Sequence, residues 1–210
     1  MISTLFSNPI LFILLAFSIV TAISIHEFAH AKVADILGDP TPELQGRVTL
    51  DPRAHLDLYG SIFLLFVGFG WGKPVQFDPY NLKNPRRDAA LISIAGPASN
   101  FILALLCSGL LWLFTFFAIP VISTIGFIIL PPLIMMNVLL GVFNLVPIHP
   151  LDGFKIVGGI LTDEQASEWY KLERYGLLFL MMLIIPFGGS SMLHSIISPI
   201  LDFLNNILIP

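Results

Sequence analysis

The stretch ILFILLAFSIVTAISIHEFAHAKVADILGDP, residues 10–40, decides the fold. From Ile10 to Ile25 it is almost purely apolar. From His26 onward, polar side chains recur at helical spacing, and Gly38-Asp39-Pro40 is a helix stop. An uninterrupted apolar run of this length is the signature of a membrane span. The N-terminus has no basic n-region and no small-residue cleavage site before His26, so the run reads as a retained first span rather than a signal peptide.

The rest of the chain has the same character. Of its 210 residues, 56% are hydrophobic and 11% charged, and the mean hydropathy is +0.87. A soluble domain carries about a quarter charged residues. The net charge of −4 is spread over few groups, and no basic run offers a nucleic-acid surface. The single Cys107 allows no intrachain disulfide and reads as a small buried or lipid-facing side chain. Further apolar segments are expected at Leu58–Phe69, Arg87–Ala118, Val121–Val146, Tyr170–Ile185 and Met192–Leu208. The second is short and reads as re-entrant. The third contains Gly96-Pro97, where a kink is expected, and the fourth breaks at Pro147 and Pro150. Short strands are expected at Gly46–Leu50 and around Pro74–Phe77, where apolar and polar residues alternate. Lys and Arg fall in three clusters, around Lys32–Arg53, Lys73–Arg87 and Lys155–Arg174. All three share the cytoplasmic side if Leu58–Phe69 does not cross.

His26-Glu27-Phe28-Ala29-His30 carries the chemistry. Two His four residues apart lie on one helix face, one turn apart, where both imidazoles reach one metal ion. The Glu beside the first His cannot easily ligate with that pair, but it can hold a metal-bound water and take its proton. Ionisable groups continuing an apolar helix are costly unless used. A zinc site needs a third protein ligand and an open position. Asp152 is the best candidate: it follows a helix broken by two prolines, where freed backbone is tolerated only beside a cavity. Its plain alternative is a helix cap. From Pro9 to His26 is 17 residues, about 25 Å of helix. The His pair therefore sits near the inner end of its span, on the side where Lys155 places Asp152.

These residues resemble the site-2 protease family of intramembrane zinc metalloproteases. The resemblance is carried by H-E-F-A-H at 26–30 and N-x-x-P-x-x-P-L-D-G at 144–153. Leu37–Thr41, Gly46–Pro52, Gly72–Val75, Asn84–Asp88 and Ala95–Asn100 add to it. It covers roughly residues 20–160 and points to the short branch without appended PDZ or CBS sensor domains. It implies one zinc ion held by His26, His30 and Asp152, with Glu27 as general base. It also implies that Asn144 steadies the scissile carbonyl or its oxyanion, a role that an amide N–H suits.

Other residues are secondary candidates for substrate binding. Lys73, Pro74 and Val75 could offer a strand edge to an unwound substrate. Asn100 reads first as an interhelical hydrogen bonder, and His149 as a turn residue close to the site. His55 and His194 read as interfacial. The expected fold is an all-α polytopic membrane protein of five to six transmembrane or re-entrant helices, with a small membrane-embedded β element. It forms one domain over residues 1–210, with a catalytic core at about 9–160 and a C-terminal helical hairpin at about 165–210. The expected activity is zinc-assisted hydrolysis of a peptide bond in or near a transmembrane segment of a membrane protein. The expected partners are that substrate and the lipid bilayer. Two rival readings are an inactive relative that retains membrane clients and a metal transporter. A transporter would show a repeat or paired broken helices, which the sequence lacks.

Overall fold

The computed structural model describes residues 2–68, 70–117, 120–187 and 190–210. The expected segment ends at Phe69 and Ala118 lie outside the described residues. Among the described residues the chain is mainly helical: α1 (Ile2–Ser7), α2 (Pro9–Ile36), α3 (Thr41–Leu44), α4 (Pro52–His55), α5 (Leu58–Val67), α6 (Pro85–Phe117), α7 (Pro120–Asn144), α8 (Asp152–Ile160), α9 (Asp163–Tyr170), α10 (Glu173–Ile184) and α11 (Met192–Leu208). Among the described residues, α2, α6 and α7 are long and apolar enough to cross a membrane.

Helix α2 starts where Asn8 accepts the Leu11 N–H at 3.0 Å and Pro9 opens the first turn. It stops at Gly38, which takes φ +103°, a left-handed turn that glycine adopts without strain. Its buried residues are Ser18, Ala22, Ser24, His26, His30, Ala31 and Ala34. Spaced mostly four apart, they form one stripe, and its small side chains let α6 and α7 approach closely. The large apolar residues of α2, such as Ile10, Ile13 and Phe17, face outward.

The main core joins α6, α7 and α11 through Ala104, Cys107, Leu111, Ile134, Val138 and Ile197. Ser108 fastens α6 to the C-terminal end, donating to Leu208 O at 2.6 Å. Helix α5 has ten residues, about 15 Å, too short to cross the hydrocarbon. Its Asp57 cap accepts the Gly60 N–H at 2.7 Å.

The strand expectations at Gly46–Leu50 and Pro74–Phe77 are not met. Among the described residues, one isolated antiparallel bridge pairs Leu56 with Gly72. The named strands are a two-residue pair, Pro186–Phe187 and Ser190–Ser191. The physical reason lies in where the backbone groups go. Pro74 has no N–H to give a ladder. The Lys73 N–H donates to His55 O at 2.7 Å, its carbonyl accepts from Arg47, and the Val75 N–H goes to a Glu27 side chain. The segment is tied down group by group instead of by a strand partner.

Candidate metal centre

His26 and His30 project from the buried stripe of α2, and Asp152 is the first residue of α8. The chain between α7 and α8 turns back through Pro147 and Pro150. Gly153 lets α8 settle on that turn, since a Cβ there would lie 2.3 Å from Leu145 O and 2.5 Å from Val146 O. The capping position is Leu151, which makes no side-chain cap bond, so the Asp152 carboxylate is not spent on its own helix.

That carboxylate meets the two imidazoles. His26 Nε2 lies 3.1 Å and His30 Nε2 3.3 Å from Asp152 Oδ2, and the two Nε2 atoms are 3.0 Å apart. A tetrahedral ion with bonds of 2.0–2.2 Å separates its ligand atoms by about 3.3–3.6 Å. The observed triangle is only slightly tighter. His30 Nδ1 faces the Ile92 carbonyl at 2.7 Å, and His26 Nδ1 faces Asn100 Oδ1 at 2.6 Å. The Asn100 amide orientation follows from its other end, whose Nδ2 donates to Ala22 O at 3.0 Å and Asn137 Oδ1 at 2.9 Å. Both Nδ1 atoms therefore carry hydrogen. In the neutral rings both Nε2 atoms then present lone pairs to each other and to a carboxylate oxygen. Three such lone pairs converging call for a cation, and two imidazole nitrogens with one carboxylate oxygen suit zinc.

Gly96 on α6 forms the floor of the triangle. A Cβ there would lie 2.4 Å from His30 Nε2 and 2.6 Å from His26 Cε1. Sequence reasoning took Gly96-Pro97 for a kink and missed this close approach. It also missed Asn137, a fully buried amide in an apolar helix, which donates to Leu133 O at 2.8 Å and accepts from Asn100. The available signal was its depth, because a polar side chain in mid-span asks for a partner.

The open side of the triangle faces a cavity of about 340 Å³. Ile19, Ile23, Trp71, Leu140 and Phe143 give it an apolar wall, while Glu27, Asn144 and Lys155 bring polar groups to it. Glu27 is half-buried and lines the same cavity as the two histidines. Its Oε2 accepts the Val75 N–H at 2.9 Å and lies 3.8 Å from Arg47 Nη2. Asn144 is half-buried at the end of α7, with Nδ2 donating to Leu140 O at 3.0 Å.

Pro74 and Val75 line this cavity, but Lys73 is not among its lining residues. Asn100 is fully buried and supports His26 instead of facing substrate space. His149 turns toward α10, with Nδ1 3.6 Å from Glu173 Oε1, and its ring packs edge-on to Phe154. His55, expected at an interface, is fully buried, with Nε2 on Thr49 O at 2.7 Å.

Two histidines one turn apart and a distant aspartate, open on one side to a cavity that also holds a glutamate, make up the donor set of a zinc hydrolase. Comparison with known proteins agrees. The chain belongs to peptidase family M50, whose profile matches residues 13–129, and it is a membrane zinc metalloprotease. It is 36% identical over 182 residues to "Putative zinc metalloprotease YwhC" of Bacillus subtilis, covering 83% of this chain and 82% of that protein. It is 30% identical over 185 residues to "Putative zinc metalloprotease Rip2" of Mycolicibacterium smegmatis, covering 83% of this chain and 67% of that protein. No solved structure matches the chain significantly. The residues present fit the family's zinc, as the triangle of His26, His30 and Asp152 indicates.

Proposed function

We propose that this chain cleaves a peptide bond within or next to a transmembrane segment of another membrane protein. The observation that carries the reading is the position of the ligand triangle: it sits on a helix long and apolar enough to span, and opens onto a cavity walled by apolar residues. His26, His30 and Asp152 hold the ion. Zinc held there would supply Lewis-acid chemistry for the scissile carbonyl and would lower the pKa of a nearby water toward neutral. Glu27 takes the proton of that water and returns it to the leaving amine. Asn144 donates to the carbonyl oxygen. One hydrogen of its amide is used on Leu140 O, and the second is left for substrate.

The scissile bond of a membrane helix has its carbonyl already hydrogen-bonded, so the substrate must unwind locally before attack. Pro74 and Val75, on the cavity wall, are placed to contact the unwound stretch. The topology that best fits the charges has α2, α6 and α7 crossing, α5 entering and returning, and α10 and α11 closing the bundle as a hairpin. Every Lys and Arg cluster then lies on the cytoplasmic side. Helix α2, at 28 residues, is about 42 Å long, and the His pair in its second half falls near that face. Water reaches the site from there. The partners are the substrate helix and the surrounding lipid. In this family's manner the substrates would be membrane-tethered regulators or leftover signal peptides.

The test is Glu27→Gln, assayed on a reporter with a single transmembrane helix in liposomes. Cleavage falls to background while bound zinc stays near one per chain. Undiminished cleavage would sink the mechanism.

A further inference from the structure

Arg47 belongs by sequence to the first basic cluster, the kind of residue that waits in water beside a membrane. The fold puts it inside. It is 3% exposed, in the loop after α3. A buried guanidinium needs carbonyls and an anion in good geometry to offset its lost hydration. Its Nη1 donates to Ala54 O at 2.7 Å, and its Nη2 donates to the Lys73 carbonyl. The carboxylate in ion-pair reach is that of Glu27, at 3.8 Å. The same Glu27 oxygen accepts the Val75 N–H, two residues beyond the carbonyl that Arg47 holds. Lys73 is pinned from its other side, its N–H on His55 O at 2.7 Å. Arg47 thus touches both things that orient Glu27: the carboxylate itself and the backbone segment that hydrogen-bonds it.

We propose that Arg47 is a positioning residue for the hydrolysis. It holds the Glu27 carboxylate toward the ligand triangle, directly and through the Lys73–Val75 backbone. Its planar fork suits this task, because it can donate to two carbonyls from separate segments while presenting charge to a third group. The proposal rests on Glu27 being the general base.

The experiment measures kcat, KM and bound zinc for the full-length protein on the same single-helix reporter. Arg47→Met lowers kcat by about 10–100-fold, the range expected when a proton-transfer group loses its alignment. Zinc content and KM stay within about twofold of the parent. Arg47→Lys keeps the charge, loses the fork, and falls between the two. In a Glu27→Asp background, adding Arg47→Met costs far less than it does in the parent, because the two residues act as one unit. Multiplying defects, lost zinc, or a raised KM at unchanged kcat would each overturn the proposal and make Arg47 a plain structural residue. If Arg47→Met does not accumulate as folded protein, Arg47→Lys carries the test: a several-fold lower kcat at unchanged KM supports it, and parental kcat overturns it. The base assignment is read separately. A dead Glu27→Gln beside a fully active Arg47→Met removes only Arg47, whereas an active Glu27→Gln removes the base and the proposal together.

Discussion

The two flanks of α2 are built differently. On the flank facing α6, His26 and His30 are held by helix packing: Asn100 on one ring, the Ile92 carbonyl on the other, and Gly96 beneath both. Behind Asn100 stands Asn137 of α7, so the support reaches a third helix. On the adjoining flank, Glu27 is held by irregular chain: the Val75 N–H and Arg47, with Asp39 bracing the loops beyond them. Groups that bind the ion thus rest on rigid helices, and the group assigned to move a proton rests on loops. The difference teaches that metal binding and proton transfer are separable by mutation. The segment carrying Val75 also forms part of the cavity wall, so what holds Glu27 lines the same space.

Changes on the helical flank are expected to have the largest effects, and on zinc first. Gly96→Ala puts a methyl 2.4 Å from His30 Nε2. Neither ring can yield without leaving its hydrogen bond, so zinc content drops to near zero and cleavage to background. Metal analysis of the purified variant checks this, and full zinc occupancy would show the floor to be soft. Asn100→Ala comes next. It removes the acceptor that fixes the His26 tautomer and leaves the Ala22 carbonyl without that donor, so zinc affinity falls by about 10–100-fold. Competition with a chelator of known affinity measures it. If Asn100→Ala lowers kcat with affinity intact, the division between the flanks is wrong.

This division was only half legible beforehand. The spacing of His26 and His30 carries its own geometry, since four residues make one helical turn, and that pair could be read from the letters alone. Asp152 was legible because two prolines leave an acid stranded beside an apolar helix. Gly96 was not, because a missing side chain does not announce what approaches it, and a neighbouring proline suggested a bend. Asn137 sat in an apolar run with its partner 37 residues away, a pairing that only tertiary structure creates. Arg47 was misleading, since the rule that marks basic residues as cytoplasmic says nothing of whether they stay in water. The strands expected at Gly46–Leu50 and Pro74–Phe77 failed for a related reason. Alternation over five residues measures which faces are apolar, while a ladder also needs free backbone partners. At Lys73 and Val75 a guanidinium, a histidine carbonyl and a glutamate had taken them, and the N–H groups of Gly46 and Arg47 turn back onto the Glu43 and Pro42 carbonyls.

Asp39 gives the smallest expected effect and the sharpest test of the comparison, because it lies on the loop flank but far from the chemistry. It is fully buried. It accepts the Thr41 N–H and hydroxyl at 3.1 and 2.6 Å, the Asp78 N–H at 2.7 Å and the Asn81 amide at 2.8 Å. Burial by itself would raise the pKa of this carboxyl, but the hydrogen bonds from Thr41, Asn81 and the Asp78 backbone outweigh it and hold the pKa below the ordinary value. A group whose folded pKa is depressed contributes stability above its unfolded pKa, near 3.9, and loses it as pH falls through the folded value. Asp39→Ala therefore costs about 1–3 kcal/mol at neutral pH, the penalty for stranding buried donors. The gap to the parent narrows as the pH drops below about 4, where the part linked to ionisation is lost. Thermal unfolding in detergent across pH measures both. Zinc affinity should stay within about twofold of the parent, because nothing on the α6 flank depends on Asp39. A parallel loss of zinc would mean that the loops and the helices unfold as one unit, and that Glu27 and the histidines are held by a single structure.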